Sequence, residues 1–370
     1  MEPAVQRLEP QRSRLHAPDP GRRVETRPRY SLAVDEFALK VLAWYRRHGR
    51  HDLPWQVPDP YVRWLAEVML QQTTVTAVIP YFQRFLAAFP SVRALAQASQ
   101  DEVLAQWAGL GYYARARHLH AAARVITEHY GDGFPRTADA WAALPGVGPS
   151  TAAAIVAFAF GVPAPILDAN VRRVLSRYHA VSGRDARALR TLWTHARDHT
   201  PTHEVAAYTQ AIMDLGALVC RKAPDCAACP VAAGCAFEGE DAPTVRRARP
   251  ERAVFMAVIR DPARGVLLVR RPSHGIWGGL WSLPESVELD DLPAVVAALG
   301  VDGRMGMACA PVHHTFTHFR LTITPILVEG VSQAFGVAEH HDVMWYKGDG
   351  SGPGMPAPIR RLLNQFLEVP

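Results

Sequence analysis

The chain has 370 residues, of which 49% are hydrophobic and 20% charged, with a formal net charge of +5 and a pI near 9.1. This length exceeds what one hydrophobic core usually fills, so two domains are expected. No uninterrupted apolar run reaches about 18 residues, so a membrane-spanning protein is not expected. No apolar secretory segment opens the chain, so an exported protein is not expected either. We therefore expect a cytoplasmic protein, and its positive charge is compatible with a polyanionic partner.

Residues 1–30 carry seven Arg against four acidic residues and no apolar period, which predicts a disordered extension. From residue 31 to 235 the apolar residues recur with helical spacing, and few stretches alternate with period two. The pattern predicts helices at 35–47, 61–71, 75–89, 114–130 and 205–219. This domain is therefore predicted to be all-α.

One acidic residue interrupts the apolar helical run 64–73. Glu67 shares a helix face with Trp64, Leu70 and Gln71, so its carboxyl group is expected to be poorly solvated. Poor solvation would raise its pKa and keep it protonated as an acid. A lone Glu in a helix is more often a solvated surface residue, so the sequence pattern alone leaves both interpretations open.

A glycine-flanked pair of aromatic residues follows in the segment 109–115. Exposed aromatic rings suit stacking on nucleic-acid bases. Packing in the core or at its rim is the alternative. Of these two interpretations stacking is favoured for Tyr112, and the role of Tyr113 stays undecided.

A Gly-Val-Gly turn at 146–148 leads into an Ala-rich helix, which offers free backbone N–H groups to an anion. Twenty residues later Asp168 follows an apolar stretch and precedes Ala169 and Asn170, which we expect to cap the next helix. An acid there would face whatever the turn holds. The glycine turn by itself is equally typical of ordinary core packing.

Four of the five cysteines fall within sixteen residues, in a C-x5-C-x2-C-x5-C array. In a cytosolic chain such bunching indicates iron–sulfur or metal ligation in place of disulfides. Zinc is the chemical alternative, because four thiolates also suit it. The predicted ligands are Cys220, Cys226, Cys229 and Cys235, and the unpaired Cys309 is predicted to be a small core residue.

The polar segment 236–252, with several Arg and two Pro, is predicted to be an interdomain linker. Beyond it the pattern changes to strands at 253–259 and 265–270 and to an alternating run that begins at Phe319. Helices are predicted at 292–299 and 357–367. The second domain, 253–370, is therefore predicted to be α+β.

These motifs, in this order, resemble the helix-hairpin-helix DNA glycosylases, with the hairpin at 144–151 and the cluster loop at 220–235. The strings WLAEVMLQQT and GLGYYAR resemble their adenine-specific, MutY-type branch, over about residues 31–368. The resemblance implies that Glu67 protonates a flipped adenine, while Asp168, with Asn170 near it, stabilises positive charge on the sugar. The implied substrate is double-stranded DNA with adenine opposite 8-oxoguanine or guanine, handled by a monomer that is nucleoid-associated if bacterial.

The resemblance also implies a set of DNA-contacting residues in the helical domain. They are Trp55, Gln56, Leu70, Gln72, Thr73, Leu110, Gly111, Tyr112, Gly146, Val147, Gly148 and Ser150. It further implies a 4Fe-4S cluster on the four cysteines. The family usually leaves six residues between its first two cysteines, whereas this chain has five, in the loop whose Arg221 and Lys222 are expected to approach DNA phosphate.

The second domain resembles the Nudix-like domain of MutY-type proteins, which recognises 8-oxoguanine. The resemblance depends on Arg271-Pro272, on GIWGGLW at 275–281 and on HTFTHF at 314–319, where the family often has Ser in place of Thr317. Residues 288–299 lack the Glu-rich metal-binding helix of an active Nudix hydrolase, so pyrophosphatase activity is not expected. Contacts to the lesion are expected from Phe316, Thr317 and His318, although surface histidines are the alternative for the last motif.

Two other functions stay open at this point. An endonuclease III-like glycosylase with lyase activity normally places a Lys two residues after the second hairpin glycine, where this chain has Ser150, which forms no Schiff base. The other is a non-catalytic lesion-binding protein, against which the intact Glu67 and Asp168 argue. The expected activity is that of a monofunctional adenine DNA glycosylase.

Overall fold

The computed structural model describes residues 35–239, 248–332, 342–348 and 352–367. The predicted extension at 1–30 lies outside these residues, as do residues 240–247 of the predicted linker. The described chain forms a helical domain followed by a strand-rich domain, which confirms the predicted fold class.

The helical domain contains eleven α-helices within the described residues 35–239, and no strand. Side-chain caps set several of the helix starts: Asp59, Ser99 and Asp185 each accept the backbone N–H three residues further on. The helices are α1 (Glu36–His48), α2 (Pro60–Leu70), α3 (Val75–Ala88), α4 (Val92–Gln97), α5 (Gln100–Trp107), α6 (Ala114–Tyr130), α7 (Ala138–Ala142), α8 (Pro149–Phe160), α9 (Ala169–Tyr178), α10 (Ala186–Asp198) and α11 (Val205–Asp214).

The helix predicted at 205–219 changes character in its last turn. Residues Leu215–Val219 form a π-helical turn. Gly216 in this turn lies so close to α9 that an added Cβ atom would meet the Cβ atom of Asn170 at 2.7 Å. Apolar spacing alone does not distinguish this wider turn from a continuing α-helix, because both bury the same side chains.

The second domain is built on a mixed sheet. Its central strands β1 (Glu251–Asp261) and β7 (Arg320–Ser332) pair in parallel, from Glu251 opposite Arg320 to Ile259 opposite Val328, and the other pairs are antiparallel. The remaining elements are β2 (Gly265–Arg270), β3 (Trp281–Ser282), β4 (Glu285–Ser286), β5 (Asp302–Ala308), β6 (Val312–Thr315), β8 (Val343–Tyr346), α12 (Leu292–Ala298) and α13 (Ala357–Leu367).

One cluster of buried apolar side chains includes Trp64 and Leu104 of the helical domain as well as Leu280 and Met355 of the second domain. The two domains therefore share a continuous core.

The prediction that Cys309 lies in a core is wrong. It follows β5, its N–H donates to the carbonyl of Pro325 (2.8 Å), and its side chain is only half-buried.

None of the described helices has the length and apolar content that crossing a membrane requires.

Candidate active site and DNA interface

A cavity of about 770 Å³ lies between α2, α8, the start of α9 and the π-helical turn. It brings together both predicted catalytic acids, which are 101 positions apart in the sequence. Four cations, Arg50, Arg173, Arg221 and Lys222, lie around it. Of the predicted site residues, the cavity is lined by Trp55, Glu67, Leu70, Thr73, Gly148, Ser150, Asp168 and Asn170.

Glu67 lies in the last turn of α2, between the buried residues Ala66 and Val68. Its side chain is half-buried and lines the cavity. The pKa of Glu67 is raised to about 7, first by burial and then by the negative charge of Asp168, while the buried cation Arg63 acts in the opposite direction. A substantial fraction of this carboxyl group is therefore protonated at neutral pH, as a general acid requires.

Asp168 is the N-cap of α9. Its Oδ1 accepts the N–H of Val171 at 2.7 Å, so the cap is Asp168 itself and not the predicted Ala169-Asn170 pair. Because α9 begins at Ala169, only a residue before it has the extended backbone that directs a side chain back onto the first turn. Burial raises the pKa of Asp168, while hydrogen bonds from the N–H groups of Val171 and Asn170 and the charge of Arg173 act against this.

The hairpin presents its glycine backbone to solvent, while the side chain of Val147 is buried. Gly146 has φ of 75°, and an added Cβ atom would lie 2.6 Å from the Cβ atom of His118, so this position accepts only glycine. Gly148 is the exposed N-cap of α8, and no side chain at the N-cap accepts a hydrogen bond from the backbone N–H groups of the first helical turn. Two positions later, the Oγ of Ser150 accepts the N–H of Leu167.

Arg173 connects the site to the cysteine loop. Its guanidinium group donates to Oδ1 of Asn170 (2.9 Å) and to the carbonyl oxygens of Gly216 (2.6 Å) and Cys220 (2.6 Å). Asn170 is therefore held at the cavity wall by a cation whose other bonds reach the π-helical turn and the first cysteine.

Arg115 is a structural residue that the sequence interpretation missed. It is buried, and it donates to the carbonyl oxygens of Val68 and Met69, at 3.0 and 2.7 Å, and of Gly111, at 3.2 Å. It also donates to Oγ1 of Thr73 at 3.2 Å. Arg115 thus fixes the end of the Glu67 helix to the loop that carries Tyr112. Its place in GYYAR, two residues after the aromatic pair, was the available signal.

The two tyrosines have different environments. Tyr112 directly follows Gly111, is 40% exposed and has a left-handed backbone with φ of 48°. Tyr113 is buried, and its hydroxyl accepts the N–H of Gly109 at 3.2 Å, so the undecided residue is a core residue. Gln72 is also exposed, with φ of 57°.

Three other predicted DNA contacts have little free surface. Trp55 is buried against Phe82, with ring centroids 5.4 Å apart, and Leu110 is buried. The side-chain amide of Gln56 accepts from the N–H of Leu53 (3.1 Å) and donates to the carbonyl of Arg50 (2.7 Å). These bonds fix the loop before α2, and contact of these residues with DNA stays a prediction.

A second cavity, of about 560 Å³, lies between the two domains. Tyr112, Gln72 and Gly111 line it from the helical domain, and Phe316, Thr317 and His318 line it from the second domain. The Phe316 ring stacks on Phe319, with centroids 4.5 Å apart, and is half-buried, whereas Thr317 and His318 are exposed. Within the segment 288–299, helix α12 carries no acidic residue, and the acids Glu288, Asp290 and Asp291 precede it.

The four clustered cysteines are free thiols in the loop 220–235. The pKa of Cys229 is raised by burial and by the charges of Cys220, Cys235 and Cys226, so the four sulfurs are electrostatic neighbours. Across the described ranges, no group of three or more His, Cys, Asp or Glu side chains is already arranged to hold a metal ion. A guanidinium N–H of Arg177 donates to the sulfur of Cys220 at 3.3 Å. The donor set, four unpaired thiols beside a cation, fits an anionic sulfur-ligated group.

Comparison with known proteins identifies both domains. Residues 65–196 match the HhH-GPD superfamily base excision DNA repair protein, and residues 255–365 match the NUDIX domain. Adenine DNA glycosylase of Buchnera aphidicola subsp. Acyrthosiphon pisum is 33% identical over 343 residues, covering 89% of this chain and 97% of the relative. The human adenine DNA glycosylase is 33% identical over 361 residues, covering 78% and 66%. A thermostable thymine-DNA glycosylase of known structure is 29% identical with a TM-score of 0.50, covering 54% of this chain and 94% of that chain.

Proposed function

Because the chain belongs to the adenine DNA glycosylase family of base excision repair, we propose that it hydrolyses the N-glycosidic bond of adenine mispaired with 8-oxoguanine or guanine. The observation that carries the proposal is the pairing of Glu67, with a pKa of about 7, and Asp168 in one cavity beside the hairpin. Flipping the adenosine out of the duplex costs a few kcal/mol, which contacts in the cavity offset.

In this mechanism the two carboxyl groups have separate roles. Glu67 donates its proton to a ring nitrogen of adenine, which makes the base a better leaving group. As the bond breaks, the negative charge of Asp168 stabilises the positive charge on the sugar. Water then attacks the anomeric carbon, and the deprotonated Glu67 takes up the proton that the water loses. The charge of Asp168 also helps to keep Glu67 protonated before the reaction, so each acid supports the state that the other needs.

The DNA backbone is held at the rim of the cavity. The exposed backbone at Gly146 and Gly148 suits one phosphate, and Arg221 and Lys222 line the same cavity as Gly148. The cysteines Cys220, Cys226, Cys229 and Cys235 would hold a 4Fe-4S cluster, which would cross-link this loop without entering the reaction. Arg173 and Arg177 would then transmit the position of the loop to α9, whose first turn Asp168 caps.

Recognition of the opposing base is assigned to the second cavity. Tyr112 and Gln72 would occupy the space that the flipped adenosine leaves. 8-Oxoguanine differs from guanine by one carbonyl oxygen and one ring N–H, and the exposed Thr317 and His318 offer hydrogen-bonding groups of both kinds. The second domain is therefore proposed to select the mispair and to perform no chemistry.

The chemical assignment is tested with Glu67→Gln and Asp168→Asn in the full chain. Each variant should lower single-turnover adenine release by at least about a thousandfold, because each removes an interaction that stabilises the transition state. Affinity for the mispaired duplex should stay within about threefold, since phosphate contacts dominate it. Near-normal release by either variant would sink the assignment.

The recognition assignment is tested with Thr317→Ala combined with His318→Ala. This variant should lower the rate on A:8-oxoguanine relative to A:G by about thirtyfold, since two hydrogen bonds are lost and each costs about 1 kcal/mol. The matched control is His313→Ala, which removes an exposed histidine of β6 whose Nδ1 contacts Thr322 on the neighbouring strand. An unchanged ratio in the double variant would assign recognition to the helical domain.

A further inference from the structure

The second domain docks on both sides of the loop that carries Tyr112. This loop, residues 109–112, connects α5 to α6. On the α5 side, the guanidinium group of Arg270 makes two hydrogen bonds of 2.6 Å to the carboxylate of Asp101. Both side chains are mostly buried, so this bidentate pair is shielded from solvent.

The same helix has close apolar contact with the second domain further along its length. An added Cβ atom on Gly354 would lie 2.9 Å from the Cβ atom of Leu104, and one on Gly279 would lie 3.6 Å from its Cδ1. No larger side chain fits at Gly354 without moving the α5 backbone. Helix α5 is therefore held by the second domain from its first turn to its middle.

On the α6 side, a guanidinium N–H of Arg117 donates to the carbonyl oxygen of Gly278 at 2.5 Å. Burial lowers the pKa of Arg117, which indicates that its charge is partly desolvated at this contact. Gly278 belongs to the loop 275–281, and this loop lines the interdomain cavity together with Phe316, Thr317 and His318. The Arg117 bond thus ends on the wall of the cavity that would receive the opposing base.

The connecting loop is itself braced at its ends. The indole N–H of Trp107 donates to the carbonyl of Gly111 at 3.1 Å, and Arg115 donates to the same oxygen at 3.2 Å. Displacement of α5 or α6 would therefore be transmitted to Tyr112 and would not be absorbed by the loop.

We propose that Arg117 is a positioning residue that joins the loop 275–281, at the wall of the opposing-base cavity, to the Tyr112 loop, so that recognition of the opposing base sets the insertion of Tyr112 into the duplex. The proposal rests on the function proposed above. The chemistry favours Arg at this position because a charge-assisted bond to a backbone carbonyl fixes the loop whatever its side chains contact. Loss of the bond leaves the carbonyl of Gly278 without this donor at a partly buried interface.

The test compares Arg117→Met and Arg117→Lys in the full chain with Arg124→Met as the matched control. Arg124 lies two turns further along α6, and its guanidinium group contacts the carbonyl of Ala96 within the helical domain. Two quantities are measured: single-turnover rates on A:8-oxoguanine and A:G, and the fluorescence of 2-aminopurine placed beside the mispair, which reports unstacking by Tyr112.

Arg117→Met should lower the rate on A:8-oxoguanine relative to the rate on A:G about tenfold, as expected for the loss of one hydrogen bond to a charged group. It should also reduce the fluorescence gain on A:8-oxoguanine. Arg117→Lys, which keeps a hydrogen-bond donor, should retain most of the wild-type rate ratio and fluorescence gain. Arg124→Met should match the wild type in both. A wild-type ratio and fluorescence in Arg117→Met would overturn the inference, as would an equal fall on both duplexes. Equal rates on the two mispairs in the wild type itself would instead overturn the proposed recognition function.

Discussion

The Oγ of Ser150 accepts the backbone N–H of Leu167 at 2.9 Å, which links the first turn of α8 to the residue before Asp168. The side chain at this position therefore supports the segment that carries Asp168, the proposed catalytic residue. It does not offer an amine to the sugar. Ser150 has no nitrogen with which to form a Schiff base.

We accordingly expect a monofunctional enzyme that leaves an intact abasic site. Product strands should break only after treatment with alkali or heat, and borohydride should trap no covalent protein–DNA adduct during turnover. Trapping at rates that match base release would contradict this expectation. Ser150→Ala is the companion variant. It should slow base release through misplacement of Asp168 without creating strand cleavage.

Catalysis should decline as the pH rises through about 7. Glu67 acts as an acid only when protonated, and its pKa is raised to about 7, so the active fraction is high below this value and falls above it. The measurement is single-turnover adenine release over about two pH units on either side, with duplex affinity recorded in parallel. A rate that rises across this range would show that Glu67 does not act as the acid.

Purified protein should be brown and contain about four iron atoms per chain if the four thiolates hold a 4Fe-4S cluster. Iron analysis and the visible absorption spectrum test this expectation, with Cys229→Ser as the variant that should lose both iron and colour. Stoichiometric zinc in protein made and purified without oxygen would instead identify a tetrahedral zinc site.

Acid should destabilise the fold in part through His179. Its ring lies 2.8 Å from that of His199, measured between their Nε2 atoms, and it stacks on His195 with centroids 3.6 Å apart. Burial, followed by these two histidines, lowers the pKa of His179 to about 4. The unfolded chain takes up this proton near the ordinary value of about 6.5, so stability is complete above that pH and is lost as the pH falls towards about 4.

The variant that checks this is His179→Asn, with the exposed His129→Asn as the control. Free energies of unfolding are compared at neutral and mildly acidic pH. The difference between His179→Asn and the wild type should shift in favour of the variant as the pH falls. A pH-independent difference would show that His179 has no such role.

The sequence predicted helices and strands well wherever the spacing of apolar residues within a short segment favours one of the two. The helix at 114–130, the strand at 265–270 and the helix at 357–367 were predicted with the bounds that the structure shows. The environment of Glu67 was predicted from the apolar residues around it. These predictions rest on short-range periodicity, which the chain records directly.

Contacts between distant segments were not predictable in this way. The bonds of Arg115 to the end of α2, and the contact between Arg117 and Gly278, join residues 46 to 161 positions apart. Their partners are mostly backbone carbonyls, which no sequence pattern marks. The cap at Asp168 was misplaced by one or two positions, because both Asp and Asn are common caps and their spacing alone does not decide between them.

The shared core has a consequence for handling the protein as fragments. Leu104 is buried, and Gly279 and Gly354 of the second domain lie against it. Protease cleavage at the exposed Arg249 should therefore give a nicked protein whose two pieces elute together until denatured. A chain truncated at that residue would instead expose the apolar surface that contacts the second domain, and it should aggregate on expression.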